Sequence, residues 1–492
     1  VASAILAHEG LQVLVLEKNG RTGGVCSYYE KNGFRVDIGT HMFSRGARGP
    51  LGQLTRRLGV PAIPFVQTYD LALIKAFGTS LRLPRDLARY PIFLADAARK
   101  LKLRPKEIVE ATRFFHSVVR FDEARLHEMD RITMWEYVQR YTDNPRLIGL
   151  FGLLLGLYFI LPLSEVSAGE GIWCFKHMAR DRGLAYPKGG SVTVPDTFIA
   201  AARARGAEVQ CHKEVERIRV KDGVVEAVEC SDGSAFEAPV VVCTTSLLDQ
   251  VERLVGPEHY PAAYVERVRG LKSSMIAVQA KIALRRPLIK AGALVGIYGE
   301  DFDLKRFQLG DFESLYDDIR NGRVAPITPI YAPIPTNFDS SLAPNGEQLI
   351  TACAVAPTTD IELEDGPQRW IENMMESLKG LIPGLEKEIL WVDTQSTRAI
   401  GNWMGKLHAP AVSTGQTPDQ VGNRRPPVHT PVLGLYACGC NAGSRGIGTE
   451  LAATSGAEAA DRVIQDRSNG LIPMGSIVGK TRSRIHEEGM TA

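Results

Sequence analysis

The segment 11–41, LQVLVLEKNGRTGGVCSYYEKNGFRVDIGTH, constrains the fold more than any other part of the chain. Its apolar run Gln12-Val13-Leu14-Val15-Leu16 has strand length and ends in Glu17. In a dinucleotide-binding sheet, an acidic side chain at the carboxyl end of the second parallel strand accepts hydrogen bonds from a ribose. Arg21-Thr22-Gly23-Gly24 follows, and adjacent glycines let the backbone pass close to a ligand where a Cβ would clash. Residues 33–39, GFRVDIG, read as a short strand that returns to the same place, with Thr40 and His41 just beyond it.

This succession of acidic strand end, RxGG and GFxxDxG resembles the FAD-binding region of the flavin amine oxidase and phytoene desaturase superfamily. GFRVDIGTH is closer to the phytoene desaturase branch. The resemblance implies FAD as cofactor, with Glu17, Arg21, Gly23, Gly24, Gly39 and Thr40 against it. It also implies a G-x-G-x-x-G loop between a first strand and a first helix, where backbone amides hold the pyrophosphate. The sequence opens inside that helix, VASAILAHEG, stopped by Gly10. The expectation is therefore a chain shortened at its N-terminus, with a weaker hold on FAD.

The second glycine-bearing anchor is residues 435–464, LYACGCNAGSRGIGTELAATSGAEAADRVI. A short apolar strand meets a turn and then a helix of small residues. In the superfamily this unit closes the FAD site. The resemblance places Gly439, Cys440, Gly446, Ile447, Gly448 and Thr449 at the cofactor. The amides of Ile447, Gly448 and Thr449 would point from the helix N-terminus at the flavin N1/C2 carbonyl, where positive potential favours the anionic reduced ring. Where the family carries Gly-Asp, this chain has Gly439-Cys440, so Asn441 is expected to supply a polar contact. Arg445 is read either as approaching a phosphate or as solvated.

Between the anchors, residues 183–243 give YPKGG, a helix over 194–205, a strand over 208–211, a meander with turns at Asp222-Gly223 and Asp232-Gly233, and a buried strand Val240-Val241-Val242-Cys243. The resemblance assigns Val215 to the adenine, as a dry wall whose main chain does the hydrogen bonding. A hairpin around Gly78 marks departure from the cofactor domain. Helices are read over 86–101, 105–119 and 134–141, strands over 275–284, 348–355 and 391–395, and a helix over 367–381. The fold class expected is α/β: a glutathione-reductase-like FAD domain with a β-meander, plus an α+β substrate domain with a helical insertion. Its parts are 1–80, 181–250 and 426–466 for FAD, 81–180 helical, 251–425 for substrate, and 467–492 as a weakly ordered, basic tail.

The run 147–164, LIGLFGLLLGLYFILPLS, carries no charge. Its 18 residues stand at the lower edge for a bilayer span, so a membrane helix is one reading. The favoured reading is a buried helix lining an apolar tunnel; a peripheral contact with one membrane leaflet stays open.

Net charge is +2 over 492 residues, which gives no reason to expect nucleic acid. The eight cysteines are scattered without CxxC and are read as reduced, hence a cytoplasmic chain. No histidine pair has metal-ligand spacing, and no serine has the strand-elbow setting of a hydrolase. FAD carries the hydride chemistry itself. His41 is the one candidate acid or base, with a hydrogen-bonded structural role as the alternative. Cys440 is reactive or simply packed. The leading expectation is desaturation, saturation or isomerisation of carbon–carbon bonds in a long apolar, isoprenoid or carotenoid molecule, with a quinone or oxygen as electron acceptor. Amine oxidation, with Trp403 and Tyr436 as candidate aromatics, and a non-catalytic prenyl-binding escort like the GDP-dissociation inhibitors are the alternatives.

Overall fold

The computed structural model describes residues 1–76, 78–85, 89–181, 183–298, 309–472 and 478–481. The lobe that carries both glycine-bearing segments is assembled from distant parts of the chain. Helix Ala2–His8 ends before Gly10, whose positive φ reverses the chain into strand Leu14–Leu16. That strand runs parallel to Glu208–Gln210, with Leu14 opposite Glu208. A second parallel pair joins Val241–Cys243 to Leu435–Ala437. The long helix Gly448–Ser468 and helix Thr193–Arg203 both pack on Ala2–His8. The small residues of Gly448–Ser468 permit close approach: a Cβ on Gly456 would sit 3.5 Å from Val1 Cβ. Val241 and Val242 are half-buried, not the fully buried strand expected, because one face of the pair borders a cavity.

The meander forms as read, with strands Val215–Lys221, Val224–Cys230 and Ser234–Glu237. Asp222 and Gly223 both have positive φ, as a tight two-residue hairpin requires. A fourth strand, Val478–Thr481, pairs with Ser234–Glu237. Part of the stretch expected to be weakly ordered thus adds an edge to this sheet; 473–477 and 482–492 lie outside the described residues.

The second lobe is built on a seven-stranded sheet in the order Ile389–Gln395, Ile276–Leu284, Gln348–Ala356, Thr328–Pro333, Ala293–Tyr298, Asp70–Ala76, Thr79–Pro84. The hairpin around Gly78 belongs to this sheet. Pairing is antiparallel except where Ala293–Tyr298 meets Asp70–Ala76. The two strands Ile276–Leu284 and Gln348–Ala356 are buried on both faces, which is why neither alternates strictly between apolar and polar residues. Helix Gly366–Leu381 covers one face with Trp370, Met374 and Leu378.

On the opposite side lies helix Pro145–Phe159, capped by the Asn144 side chain, which accepts from the amides of Arg146 and Leu147. It stops at Ile160, in the left-handed region with φ 56°, ahead of Pro162. No helix among the described residues is long and apolar enough to cross a membrane, so the spanning reading of 147–164 does not hold. Instead Leu150 and Leu153 pack on Ile74, Val295 and Ile297 of the sheet. Phe151 joins Phe114 and Phe115 in an aromatic cluster with helix Pro105–Val119. Helix Tyr90–Lys100 precedes it; the expected start at Asp86 lies outside the described residues.

Candidate functional site

A cavity of about 1390 Å³ runs from the lobe of the glycine-bearing segments into the lobe of the seven-stranded sheet. It is bordered by one strand of each parallel pair, Leu14–Leu16 and Val241–Cys243, by the start of the meander, by the turn after Leu435–Ala437 and by one face of the seven-stranded sheet.

At its polar end stands Glu17. The amide of Glu17 donates to Gln210 O at 3.0 Å and its carbonyl accepts from Lys213 N at 2.8 Å, so the strand pair fixes its position. Its carboxylate accepts from Asn19 N at 2.9 Å. Burial raises its pKa, and the amide of Asn19 partly offsets that. Gly23 has φ 116°, and a Cβ there would lie 2.8 Å from both Cys26 O and Pro195 Cγ, so only glycine fits. Gly24 lines the cavity and its carbonyl accepts from the Trp403 indole at 3.0 Å. Gly39 and Thr40 are held by bonds from their amides to Val25 O, and a Cβ on Gly39 would meet Val25 Cβ at 2.9 Å. Val215 lines the wall beside Lys213 and Glu214. Gly439, Cys440, Ile447, Gly448 and Thr449 border the same space. Glu17 and Gly448, more than four hundred positions apart in sequence, therefore share one cavity.

Other residues singled out from the sequence stand elsewhere. Arg21 is not in this wall: it is exposed, lies 4.5 Å over the Tyr28 ring and donates to the Tyr28 hydroxyl. Gly446 is not in the wall either; its amide donates to Glu170 Oε1 at 2.6 Å. Arg445 neither approaches the cavity nor is solvated, because it grips Asp130 through two bonds of 2.7 and 2.5 Å. Asn441 uses its side-chain amide on Thr245 O. Cys440 donates its thiol to Gly448 O, and burial raises its pKa, which is the packed rather than the reactive arrangement. Tyr436 is buried away from the cavity with its hydroxyl on Asp466, so it forms no aromatic pair with Trp403. All eight cysteines are free.

His41 borders the cavity and is buried, yet neither ring nitrogen has a hydrogen-bond partner of good geometry. Burial, then the Lys281 charge, hold its pKa well below the usual imidazole range. The Thr40 backbone is the one hydrogen-bonding influence on the ring, and it opposes these two larger effects on its charge. Lys281 itself escaped the sequence reading. It sits in a strand flanked by apolar residues, is fully buried, and donates to Ile38 O at 3.1 Å. Burial pushes its pKa down to about 8. Asp37 close by accepts from the hydroxyls of Tyr186 and Ser191.

Away from Glu17 the walls become apolar. Leu71, Ala72, Leu83, Ala293, Val295 and Val355 of the sheet line this arm together with Leu154, Leu157 and Ile160 from helix Pro145–Phe159 and its end. Tyr158, hydrogen-bonded to Ser44, and Tyr331 are among the polar groups along this arm.

The sequence model of the flavin-containing amine oxidoreductases matches residues 1–464. The chain belongs to that family. It is a flavin-dependent oxidoreductase, and its cofactor is FAD. Among curated relatives, a zeta-carotene-forming phytoene desaturase of Myxococcus xanthus is 25% identical over 86% of this chain and 84% of its own length. A chloroplastic prolycopene isomerase of Arabidopsis thaliana is 24% identical over 81% of this chain and 69% of its own. Among solved structures, an oxidoreductase from Methanosarcina mazei superposes with a TM-score of 0.69 at 18% identity, covering 94% of this chain and 96% of that one, which shows the shared fold. The walls suit the family's cofactor: an acidic strand end for a ribose, glycines that admit close backbone approach, an apolar Val215 wall, and helix-start amides that have no acceptor within their own helix.

Proposed function

We propose that this family member oxidises, reduces or isomerises carbon–carbon double bonds in a long apolar molecule of the isoprenoid or carotenoid class. The observation that carries the reading is the continuity of one cavity, polar at Glu17 and apolar from Leu71 to Val355. An apolar chain enters such an arm because leaving water stabilises it by about 25 cal/mol per Å² of buried apolar surface. The names of the desaturase and isomerase relatives point the same way.

In this reading Glu17, Gly23, Gly24, Gly39, Thr40 and Val215 hold the cofactor, and Ile447, Gly448 and Thr449 present amides to it. FAD supplies hydride exchange when bound. The chain's own residues orient the substrate, keep the arm dry, and provide His41 as the group that takes or returns a proton. Its imidazole is kept neutral by burial and by Lys281, as a base must be.

The test is to load the protein with FAD under anaerobic conditions and add linear polyenes in detergent micelles, or alkyl and aryl amines. The expected result is a shifted polyene absorption band with amines leaving the flavin spectrum unchanged. Flavin bleached by amines, with polyenes inert, would overturn the proposal.

A further inference from the structure

Beneath the start of helix Gly448–Ser468 lies a buried ion cluster to which four separated stretches of chain contribute. Glu170 is fully buried and Arg425 is nearly so, with side-chain exposures of 0% and 2%. Asp130 and Arg445 complete the set, giving two carboxylates and two guanidiniums. Arg425 Nη2 stands 3.5 Å from Glu170, and Arg445 Nη1 stands 3.4 Å from it. The cluster is built closely. A Cβ on Gly169 would lie 2.1 Å from Asp130 Oδ1, and one on Gly422 would lie 2.3 Å from Asp130 Oδ2. Ser167 caps helix Ala168–Arg180, accepting from Glu170 N, while its own amide bonds Gln416 O.

The cluster acts on one point of the backbone. Glu170 Oε1 accepts from the amide of Gly446 at 2.6 Å, and Arg425 Nη1 donates to the carbonyl of the same residue at 3.2 Å. Arg425 is anchored in turn by Gln416 Oε1 at 2.5 Å. Gly446 has φ 130° and Gly448 has φ 57°, values that leave this turn with little intrinsic preference for one path. The next three residues, Ile447, Gly448 and Thr449, border the cavity. The Gly446 amide belongs to the peptide plane before this residue and its carbonyl to the plane that carries the Ile447 amide, so the two bonds fix both planes that flank the glycine.

We infer that Glu170 and Arg425 are positioning residues for the cofactor: by holding both polar groups of Gly446 they aim the amides of Ile447–Thr449 into the cavity. The inference rests on the assignment of those amides to FAD in the proposed function. Neither residue touches the cavity wall, so their effect passes through Gly446. A purely structural ion cluster would set stability and leave the flavin's surroundings alone.

Two substitutions separate the roles. Glu170→Asp keeps the charge balance with Arg425 and Arg445 but shortens the reach to Gly446 N. Glu170→Gln keeps the reach and leaves two buried guanidiniums facing one carboxylate. FAD affinity is measured by fluorescence titration, and sulfite affinity of the bound flavin by absorbance, since the sulfite adduct is anionic and reports on nearby positive potential. Glu170→Asp is expected to weaken sulfite binding about tenfold and FAD binding severalfold, with a melting temperature near wild type. Glu170→Gln is expected to lower the melting temperature and to change sulfite affinity less. Unchanged sulfite and FAD affinities in a folded Glu170→Asp protein would overturn the inference while leaving the cofactor assignment standing. If Glu170→Asp does not fold, Arg425→Lys decides: a lysine amine cannot span Gly446 O and Gln416 Oε1 together, so the same loss of sulfite affinity is expected, and its absence overturns the inference. A wild-type protein that binds no added FAD would bring down the functional reading and the inference together.

Discussion

His41 and Glu450 are buried polar groups with unsatisfied atoms, and their charges respond to pH in opposite senses. Leaving a buried polar atom unpaired costs about 1–3 kcal/mol, so its retention calls for a reason other than stability. We expect His41→Leu to match or exceed wild type in urea midpoint while turnover falls about 100-fold. A variant equally active would remove His41 from the chemistry. Because the folded state holds His41 neutral, the unfolded chain binds more protons below about 6.5, and acidification through that range costs stability that the leucine variant does not lose. Glu450 behaves oppositely. Burial, against the offsetting charge of Arg45, raises its pKa to about 8 from an unfolded 4.5. Stability linked to it is therefore full below about 4.5 and is lost as pH rises towards 8. Urea midpoints at pH 5 and pH 8.5 should differ less in Glu450→Gln than in wild type, and a difference as large as wild type's would contradict the assignment. Sequence showed His41 because it follows a recognisable turn. It did not show Glu450 or Lys281, since burial of a charge depends on what packs over it. Arg445 was misread for a related reason: its partners lie 315 and 275 positions away, and nothing local announces them.

At the scale of elements, helix Pro145–Phe159 faces two ways, and that explains its composition. Leu147, Leu150, Leu153 and Phe159 are buried against neighbours, while Leu154 and Leu157 border the cavity. A helix apolar on all sides needs either lipid or protein around it. Here the sheet and the aromatic helices supply the protein, and the left-handed turn at Ile160 ends the run. Leu157→Trp adds bulk on the cavity side without disturbing the packed side. The expected outcome is a KM for long polyenes raised about tenfold or more with FAD affinity unchanged. Equal KM values would place the substrate elsewhere. Elements with a clear local signature were legible: Gly10 as a helix stop, Asp222-Gly223 as a hairpin, Pro105–Val119 to the residue. The edge strand Val478–Thr481 was not, because Val-Gly-Lys-Thr is too short to show a period and its partner Ser234–Glu237 lies far upstream in the chain.

For the molecule as a whole, the decisive property is that the cavity wall alternates between lobes along the chain. Residues 10–19 and 22–26 lie at the polar end, Leu71, Ala72, Leu83, Leu154, Leu157 and Ile160 on the apolar arm, 213–215 and 238–245 return to the polar end, and 438–440 with 447–449 close it. Motifs made the two ends readable, because close approach to a dinucleotide restricts residue type. The middle was anonymous, since an apolar wall accepts many side chains of suitable volume. This interleaving has a measurable consequence. A ligand that binds only the folded state stabilises it by about 2.7 kcal/mol at a hundredfold excess over Kd, and the gain is felt by every segment that closes on it. Hydrogen exchange with and without FAD should therefore slow together at Leu14–Leu16, Val215–Lys221 and the first turns of Gly448–Ser468. Helix Gly366–Leu381, on the far face of the sheet, should change little. Protection confined to one end of the chain would mean that the two glycine-bearing anchors do not grip the same molecule, since a single ligand spanning both cannot order one wall and leave the other open.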